Sequence, residues 1–361
     1  MTTRAWVEVD LGALVRNGAK FASAARTQLL PTIKADAYGL GAVGVARALE
    51  SLNPWGYGVG TIEEGVELRS AGIHRPILVL TPILQGTFGA AREARLRPAL
   101  GDREAIAAWG PSGAPWHLSI DTGMNRAGVR WSDVAGLREL LAIHPLEGAF
   151  THFHSILRDR ASVDLQTARF RDAVAQLPSR PLLLHTESSA AIERSHPSSW
   201  DLVRPGIFLY GVGTVGGLDP EPVVSVRARI VELRGIGDGD TVSYGATYPR
   251  RDSALSLSDR RIATLPLGYA DGYRRALGNR GIALLHGQRV SVAGTVTMDM
   301  TMLDVTGVPC EVGDIVTLIG GDDRDLISVH ELADLGALSP YELLTGLHSR
   351  LPRLYVRAGT A

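Results

Sequence analysis

The sequence predicts an α/β protein with an N-terminal (β/α)8 barrel of the TIM type over residues 10–216 and a mainly β domain over 217–361. Three observations predict it. Between about residues 30 and 210, short apolar runs alternate with amphipathic stretches. Near Gly217 the texture changes to β-branched runs punctuated by glycine. The reactive side chains of the first half fall at the ends of its apolar runs.

The apolar runs are LLPTIKA, WGYGVGT, PILVLTP, LRPALGD, WHLSID, LEGAFTHF, PLLLHTE and LVRPGIFL. Between them, segments such as VGVARALE, EEGVELRSAG, REAIAAW, VAGLRELLAI and LQTARFRDAVAQL repeat apolar residues at three- and four-residue spacing, the pattern of amphipathic helices. Strands alternating with helices form right-handed parallel βα units. Eight such runs suit a closed barrel, whose usual size is about 250 residues. A doubly wound open sheet is the alternative, but no GxGxxG opens the first helix, which weakens a dinucleotide-binding reading. Lys34, Asp121, His152 with His154, His185 and Arg204 end these runs. In a barrel they converge on one rim, where active sites are built.

After the glycine-rich GVGTVGGLDPEP, the segments VVSVRARIVELRGI, DTVSYGATY, RRIATLPLGYADGY and GIALLHGQRVSVAGTVTMDMTMLDV read as strands and turns. The opening residues 1–9 alternate like a strand and are assigned to this second domain.

Composition excludes several function classes. Of the 361 residues 45% are hydrophobic and 21% charged, enough for an ordinary core. The formal net charge of −1 offers no field for a polyanion, so nucleic acid is not the expected partner. Cys310 is the only cysteine, which excludes a disulfide framework and a cysteine-cluster metal site, and no metal is expected. No apolar run approaches the roughly 20 residues of a membrane span and no signal-peptide core opens the chain, so no membrane is expected and the location is read as cytoplasmic.

Of 37 lysines and arginines only Lys20 and Lys34 are lysine. Arginine does not deprotonate and cannot offer a free amine for an imine or a proton transfer. Lys20, in RNGAKFASAAR, reads as the exposed face of a helix. Lys34 ends a strand-like run, where a merely solvated lysine has less reason to be, and is the candidate for amine chemistry.

KADAYGLG at 34–41, DTGMNRAG at 121–128, THF at 151–153, VRPGIFLYG at 203–211, VSYGATY at 242–248, LGYADGY at 267–273 and TMDM at 297–300 together resemble the alanine racemase family, in the family's order and across nearly the whole chain. These are fold-type III pyridoxal 5′-phosphate (PLP) enzymes with a barrel and a β-domain. The resemblance implies a racemase interconverting L- and D-alanine for peptidoglycan, working as a homodimer with shared active sites. Lys34 would hold PLP as an imine and serve as one proton-transfer base, which needs an amine pKa brought below about 10.4. Tyr38, Ser189 and the N–H groups of Gly206 and Ile207 would hold the phosphate, aided by a helix N-terminus after the eighth strand. Arg204 would face the pyridine nitrogen and, able only to donate, leave it unprotonated. The weaker electron sink disfavours decarboxylation and transamination. His152 and His185 would tie Arg204 and the catalytic tyrosine into one network. Tyr244, from the partner subunit, would be the second base, acting on the L-enantiomer while Lys34 acts on the D-enantiomer. Arg126 and the Met298 N–H, with Asp299 beside them, would hold the substrate carboxylate.

The chain departs from the family pattern in places. A lysine often precedes the DTGM motif and orients the arginine; here that position is Ser119, so Arg126 needs an ion or another side chain to steady it. Leu40 and Ser188 replace a histidine and an asparagine. Ser349, in GLHSRLPR, stands where alanine-specific members often have tyrosine, which should widen the pocket. Rejecting one extra hydroxyl sterically is worth only about 1–3 kcal/mol, so a broad or serine-directed racemase is the second expectation. A non-catalytic PLP-binding barrel is a third, against which the second domain counts.

Overall fold

The computed structural model describes residues 3–214, 216–248, 260–321 and 324–356. Met1 and Thr2 of the predicted opening strand lie outside the described residues. The chain forms two compact units, one comprising Leu14–Ala37 and Ala42–Glu221, the other Met1–Ala13, Tyr38–Gly41 and Pro222–Ala361.

The first unit is built on eight parallel strands. Tyr57–Val59, Ile77–Val79, Arg97–Leu100, His117–Asp121, Gly148–Phe150 and Leu183–His185 form one continuous parallel sheet in chain order. Gln28–Leu29 and Leu202–Val203 pair with each other. Parallel bridges from Thr32 to Gly58 and from Ser188 to Arg204 tie this pair to both ends of the sheet, which curls it into a barrel. The strands are short, two to five residues long. A strand that must bury both faces reads as an apolar run only while it lies in the barrel wall; the rest of each run becomes rim loop.

Helices cover the barrel where the 3.6-residue pattern placed them. Ile62–Ser70 starts with a reciprocal cap, Thr61 accepting from the Glu64 N–H and Glu64 reaching back. Arg103–Trp109 and Arg160–Ala175 start from Asp102 and Asp159, whose side chains accept from Ala105 and Ser162 N–H. Phe21 and Ala25 of the helix Leu11–Ala25 pack on Leu29, Val203, Phe208 and Ile192. Lys20 is exposed on that helix and donates to the Asp219 carbonyl at 2.6 Å.

The second unit is a mainly antiparallel sheet in the order 232–236, 260–265, 301–304, 288–292, 282–285, 315–321, 224–229, 5–10 and 353–356. The opening strand Ala5–Asp10 pairs antiparallel with Val224–Arg229 and parallel with Arg353–Val356. Buried and half-exposed residues alternate along Val224–Arg229, as a sheet with one covered face requires. His286 and Gly287, at φ of 51° and 75°, make the two-residue hairpin turn between Ile282–Leu285 and Gln288–Val292. No helix among the described residues is long and apolar enough to cross a membrane.

Candidate active site

Lys34 does not end a strand. It opens a single left-handed turn, Lys34–Gly39, in which Ala35, Asp36, Ala37 and Tyr38 have φ of 52°, 53°, 52° and 56°. Each non-glycine residue in that region costs about 1–2 kcal/mol, so the turn needs external support, as strained functional segments do. Glu64 supplies part of it, accepting the N–H of Ala35 at 2.7 Å and of Gly60 at 2.6 Å. Asp36 accepts from Ala42 N–H at 2.7 Å. Lys34 opens to solvent at the C-terminal mouth of the barrel, yet its pKa is lowered, first by desolvation and then by the charge of Arg126, with Glu64 opposing.

Arg204 follows the strand Leu202–Val203 and is 4% exposed. Among the described residues no carboxylate hydrogen-bonds it. Nη1 donates to His185 Nδ1 at 2.6 Å and to the His185 carbonyl at 2.8 Å. Nη2 donates to the carbonyls of Thr151 (2.8 Å) and Thr186 (3.0 Å) and reaches His152 Nδ1 at 3.4 Å. Nε makes no hydrogen bond among the described residues. Burial lowers the guanidinium to about 10, with Glu187 opposing, so it stays charged at neutral pH. His152 lies at the mouth, where the enclosing protein and the charges of Arg204, Arg126 and Lys34 push its imidazolium down to about 3. His185 is fully buried and held well below its usual value, by burial first and then by Arg204 and His117. Both rings are neutral.

Beside Arg204, Ser189 Oγ accepts the N–H of Gly206 at 3.0 Å and of Phe208 at 3.4 Å in a buried setting. The Ile207 N–H has no acceptor among the described residues. Gly206, at φ −129° and ψ −97°, precedes the Ile207–Tyr210 turn. The expected helix N-terminus is that of a short 3₁₀ helix, Ile207–Tyr210, with Gly206 at its N-cap. Pro205 and the glycines at 206 and 211 leave no length for more.

Arg126 is exposed and makes no hydrogen bond or ion pair among the described residues. Ser119 does not reach it. Ser119 lines a cavity of about 230 Å³ with Leu80, Ile83, Gly101, Ala105 and Gly128. The truncation at this position thus leaves space, and Arg126 stays without a protein partner to steady it.

In the β unit, Tyr38 is buried and its hydroxyl pKa is raised, mainly by desolvation and then by Tyr341. The Tyr341 ring lies 6.0 Å from that of Tyr38, so an aromatic packs on Tyr38 although position 349 is serine. Ser349 itself is exposed. Tyr244 is 73% and Met298 53% exposed. The Tyr244 loop is clipped by Ser243 Oγ donating to the Thr295 carbonyl at 2.6 Å and Thr295 Oγ1 donating to the Tyr244 carbonyl at 3.1 Å. Asp299 is held at 2.8 Å by Arg350, which also faces the fully buried Asp271 carboxylate at 3.4 Å.

The barrel therefore gathers Lys34, Arg126, His152, His185, Ser189, Arg204, Gly206 and Ile207 at or just below one rim, while Tyr244, Met298 and Asp299 lie on the β unit. Three residues that bond to the site's supporting groups escaped the sequence reading. Glu64 could have been found from the Thr61-x-x-Glu64 capping pattern. His117 and Glu147 carry no sequence signal; only the barrel brings His117 onto His185 and Glu147 onto His117.

A depressed amine, an uncommitted guanidinium and a spare backbone N–H donor around a buried permanent cation define a barrel enzyme for amine chemistry on small anionic ligands. Comparison with known proteins narrows this. Residues 9–214 match the family "Alanine racemase, N-terminal domain" and residues 223–355 match "Alanine racemase, C-terminal domain". The chain belongs to the alanine racemase family. It is 39% identical to the alanine racemase of Sorangium cellulosum over 92% of each chain. The alanine racemase of Bacillus anthracis with bound L-Ala-P superposes with a TM-score of 0.91 at 29% identity, over 100% of this chain and 97% of that one. The alanine racemase of Bartonella henselae with covalently bound pyridoxal phosphate gives 0.88 at 27% identity, over 98% and 100%.

Proposed function

We propose that this chain is a PLP-dependent racemase that interconverts L- and D-alanine in the cytoplasm and supplies D-alanine for peptidoglycan. The observation that carries the reading is the pairing of a depressed lysine amine, Lys34, with a buried arginine that no carboxylate among the described residues hydrogen-bonds. The barrel residues suit the coenzyme. Among the described residues Arg204 Nε and the Ile207 N–H are donors without an acceptor, and the latter lies between the two N–H groups that Ser189 Oγ accepts.

When bound, PLP supplies an electron sink for the charge that develops at the substrate Cα. Lys34 would carry it, and Tyr38, Ser189, Gly206 and Ile207 would hold its phosphate. Arg204, always a donor, would keep its ring nitrogen unprotonated. Lys34 Nζ then moves a proton at Cα on one face. Desolvation and Arg126 favour its neutral form, the form a base needs. Removal on one face and return on the other needs a second base, and Tyr244 Oη serves. Tyr244 and Met298 are exposed on the β unit, which supports a homodimer in which the β-domain over 217–361 completes the partner's site over the barrel of 10–216. There Tyr244 takes the L-alanine proton, and the Met298 N–H and Asp299, with Arg126, hold the carboxylate. His152 and His185 fix Arg204 through its Nη groups.

Incubation with PLP and L-alanine in D2O tests the reading. D-Alanine labelled at Cα is expected, and unlabelled, unconverted L-alanine overturns it. A broad or serine-directed preference is the second reading, favoured by the exposed Ser349. A non-catalytic coenzyme carrier is disfavoured, because the C-terminal family match spans 223–355.

A further inference from the structure

The bonds around Arg204 do not stop at His185. His185 Nε2 lies 2.9 Å from Nδ1 of His117, and both rings are fully buried. His117 Nε2 lies 3.2 Å from Glu147 Oε2, whose carboxylate also accepts Arg97 Nε at 2.6 Å and Nη2 at 3.2 Å. Glu147 precedes the strand Gly148–Phe150, Arg97 opens the strand Arg97–Leu100, and His117 opens the strand His117–Asp121. Arg204 instead follows its strand. Because the strands are parallel, the row crosses the barrel from its N-terminal end to the catalytic mouth.

Barrel interiors are ordinarily filled by branched aliphatic side chains, and burying polar rings costs free energy unless every polar atom is bonded. Here every nitrogen is, and the bonds allow only one direction. Arg204 can only donate, so His185 Nδ1 accepts and its proton sits on Nε2. That proton is donated to His117 Nδ1, which leaves the His117 proton on Nε2, facing Glu147. Burial raises the Glu147 carboxyl, but hydrogen bonds from His117 and Arg97 and the charge of Arg97 outweigh it and hold it below its usual range, so it can only accept. The cation above and the carboxylate below select the same two tautomers. Phe150 stacks on His185 at 5.0 Å and 10°, and Trp55 packs on His117 at 5.6 Å, which fixes both ring planes.

We propose that His117 and Glu147 are positioning residues for Arg204: the one-way row from Arg204 to Glu147 sets the tautomer of His185 and thereby the orientation of the guanidinium. The tautomers follow from geometry alone, while their effect on catalysis rests on the role given to Arg204 above.

The coenzyme-free enzyme, labelled with 15N-histidine, gives a first test by NMR, with His117→Gln and His185→Gln to assign the signals. Both rings should show a pyridine-type Nδ1 and a pyrrole-type Nε2. A protonated Nδ1 on either ring overturns the row, and this measurement needs no variant to fold beyond those used for assignment. Glu147→Gln then tests the coupling. The amide presents an N–H as readily as an oxygen, so the row loses its fixed lower end. The His185 signals should move although residue 147 does not touch that ring. The absorbance of bound PLP should shift, and kcat should fall about tenfold in both directions with KM for alanine within about twofold. Unchanged His185 signals and unchanged kcat would make Glu147 a partner of Arg97 only and sink the proposal. Expected tautomers in a wild-type protein that racemises nothing would instead fault the functional reading and leave the row intact.

Discussion

A Cβ on Gly148 would lie 2.5 Å from Cε1 of His117, so the imidazole occupies the space that any side chain at position 148 would need. The buried ring and the missing side chain are one packing solution, on neighbouring strands paired at this register. Gly148→Ala should therefore displace His117 and cost about 1–3 kcal/mol, the usual penalty of overpacking. Thermal denaturation reads this as a lowered Tm, and a melt unchanged from wild type contradicts it.

Lys34→Arg retains charge and bulk but supplies no neutral amine. The variant should show no absorbance of covalently held PLP and no detectable racemisation, both read on the purified protein. Retained colour removes Lys34 from the chemistry.

Tyr244→Phe removes one hydroxyl from an exposed loop residue and should leave the fold intact. With Tyr244 on the L-face and Lys34 on the D-face, loss of the L-alanine Cα proton slows much more than loss of the D-alanine proton. Positioned acid–base groups contribute about 10²–10⁴-fold. Deuterium exchange from each enantiomer separates the two faces, and equal losses refute the two-base assignment.

His117 and His185 are fully buried and their pKa values are lowered, chiefly by desolvation. The unfolded chain takes up protons on these residues below about pH 6.5 while the native state does not. Their contribution to stability is complete above that value and declines as the pH falls, by up to about 1.4 kcal/mol per pH unit for each ring. Urea unfolding at pH 7.5, 6.5 and 5.5 should show a near-plateau between the first two and a drop at the last. A free energy independent of pH across this range is the contrary result.

Ser349→Tyr adds a large ring where the chain has an exposed serine. If the small residue relaxes selection, wild type turns over serine at a kcat/KM within about tenfold to 100-fold of alanine, and the tyrosine lowers the serine value more than the alanine value. A substrate panel on the two proteins measures both ratios, and identical ratios show that position 349 does not set specificity.

Much of the candidate site was legible because the proposed chemistry needs particular side chains at particular spacings. Lys34 stood out as one of two lysines, and Arg204, His152 and His185 each close an apolar run. The left-handed turn under Lys34 was not legible, since ADAY contains no glycine to announce positive φ. Nor was the shortness of the helix after Arg204, because RPGIFLY is apolar enough to continue as strand or helix and only the barrel wall fixes where it turns.

By itself the sequence determined the alternating βα order, the change to strands near Gly217, and the residue types that can handle an amine and an anion. These follow from local periodicity and from functional groups that no other residue replaces. Only the tertiary structure decided that Glu64 braces Lys34, that no side chain among the described residues steadies Arg126, and that a carboxylate at the far end of the barrel is joined to Arg204 through two histidines. Such contacts join residues up to 68 positions apart, as His117 is from His185. They depend on strand register and barrel closure, which no local pattern encodes.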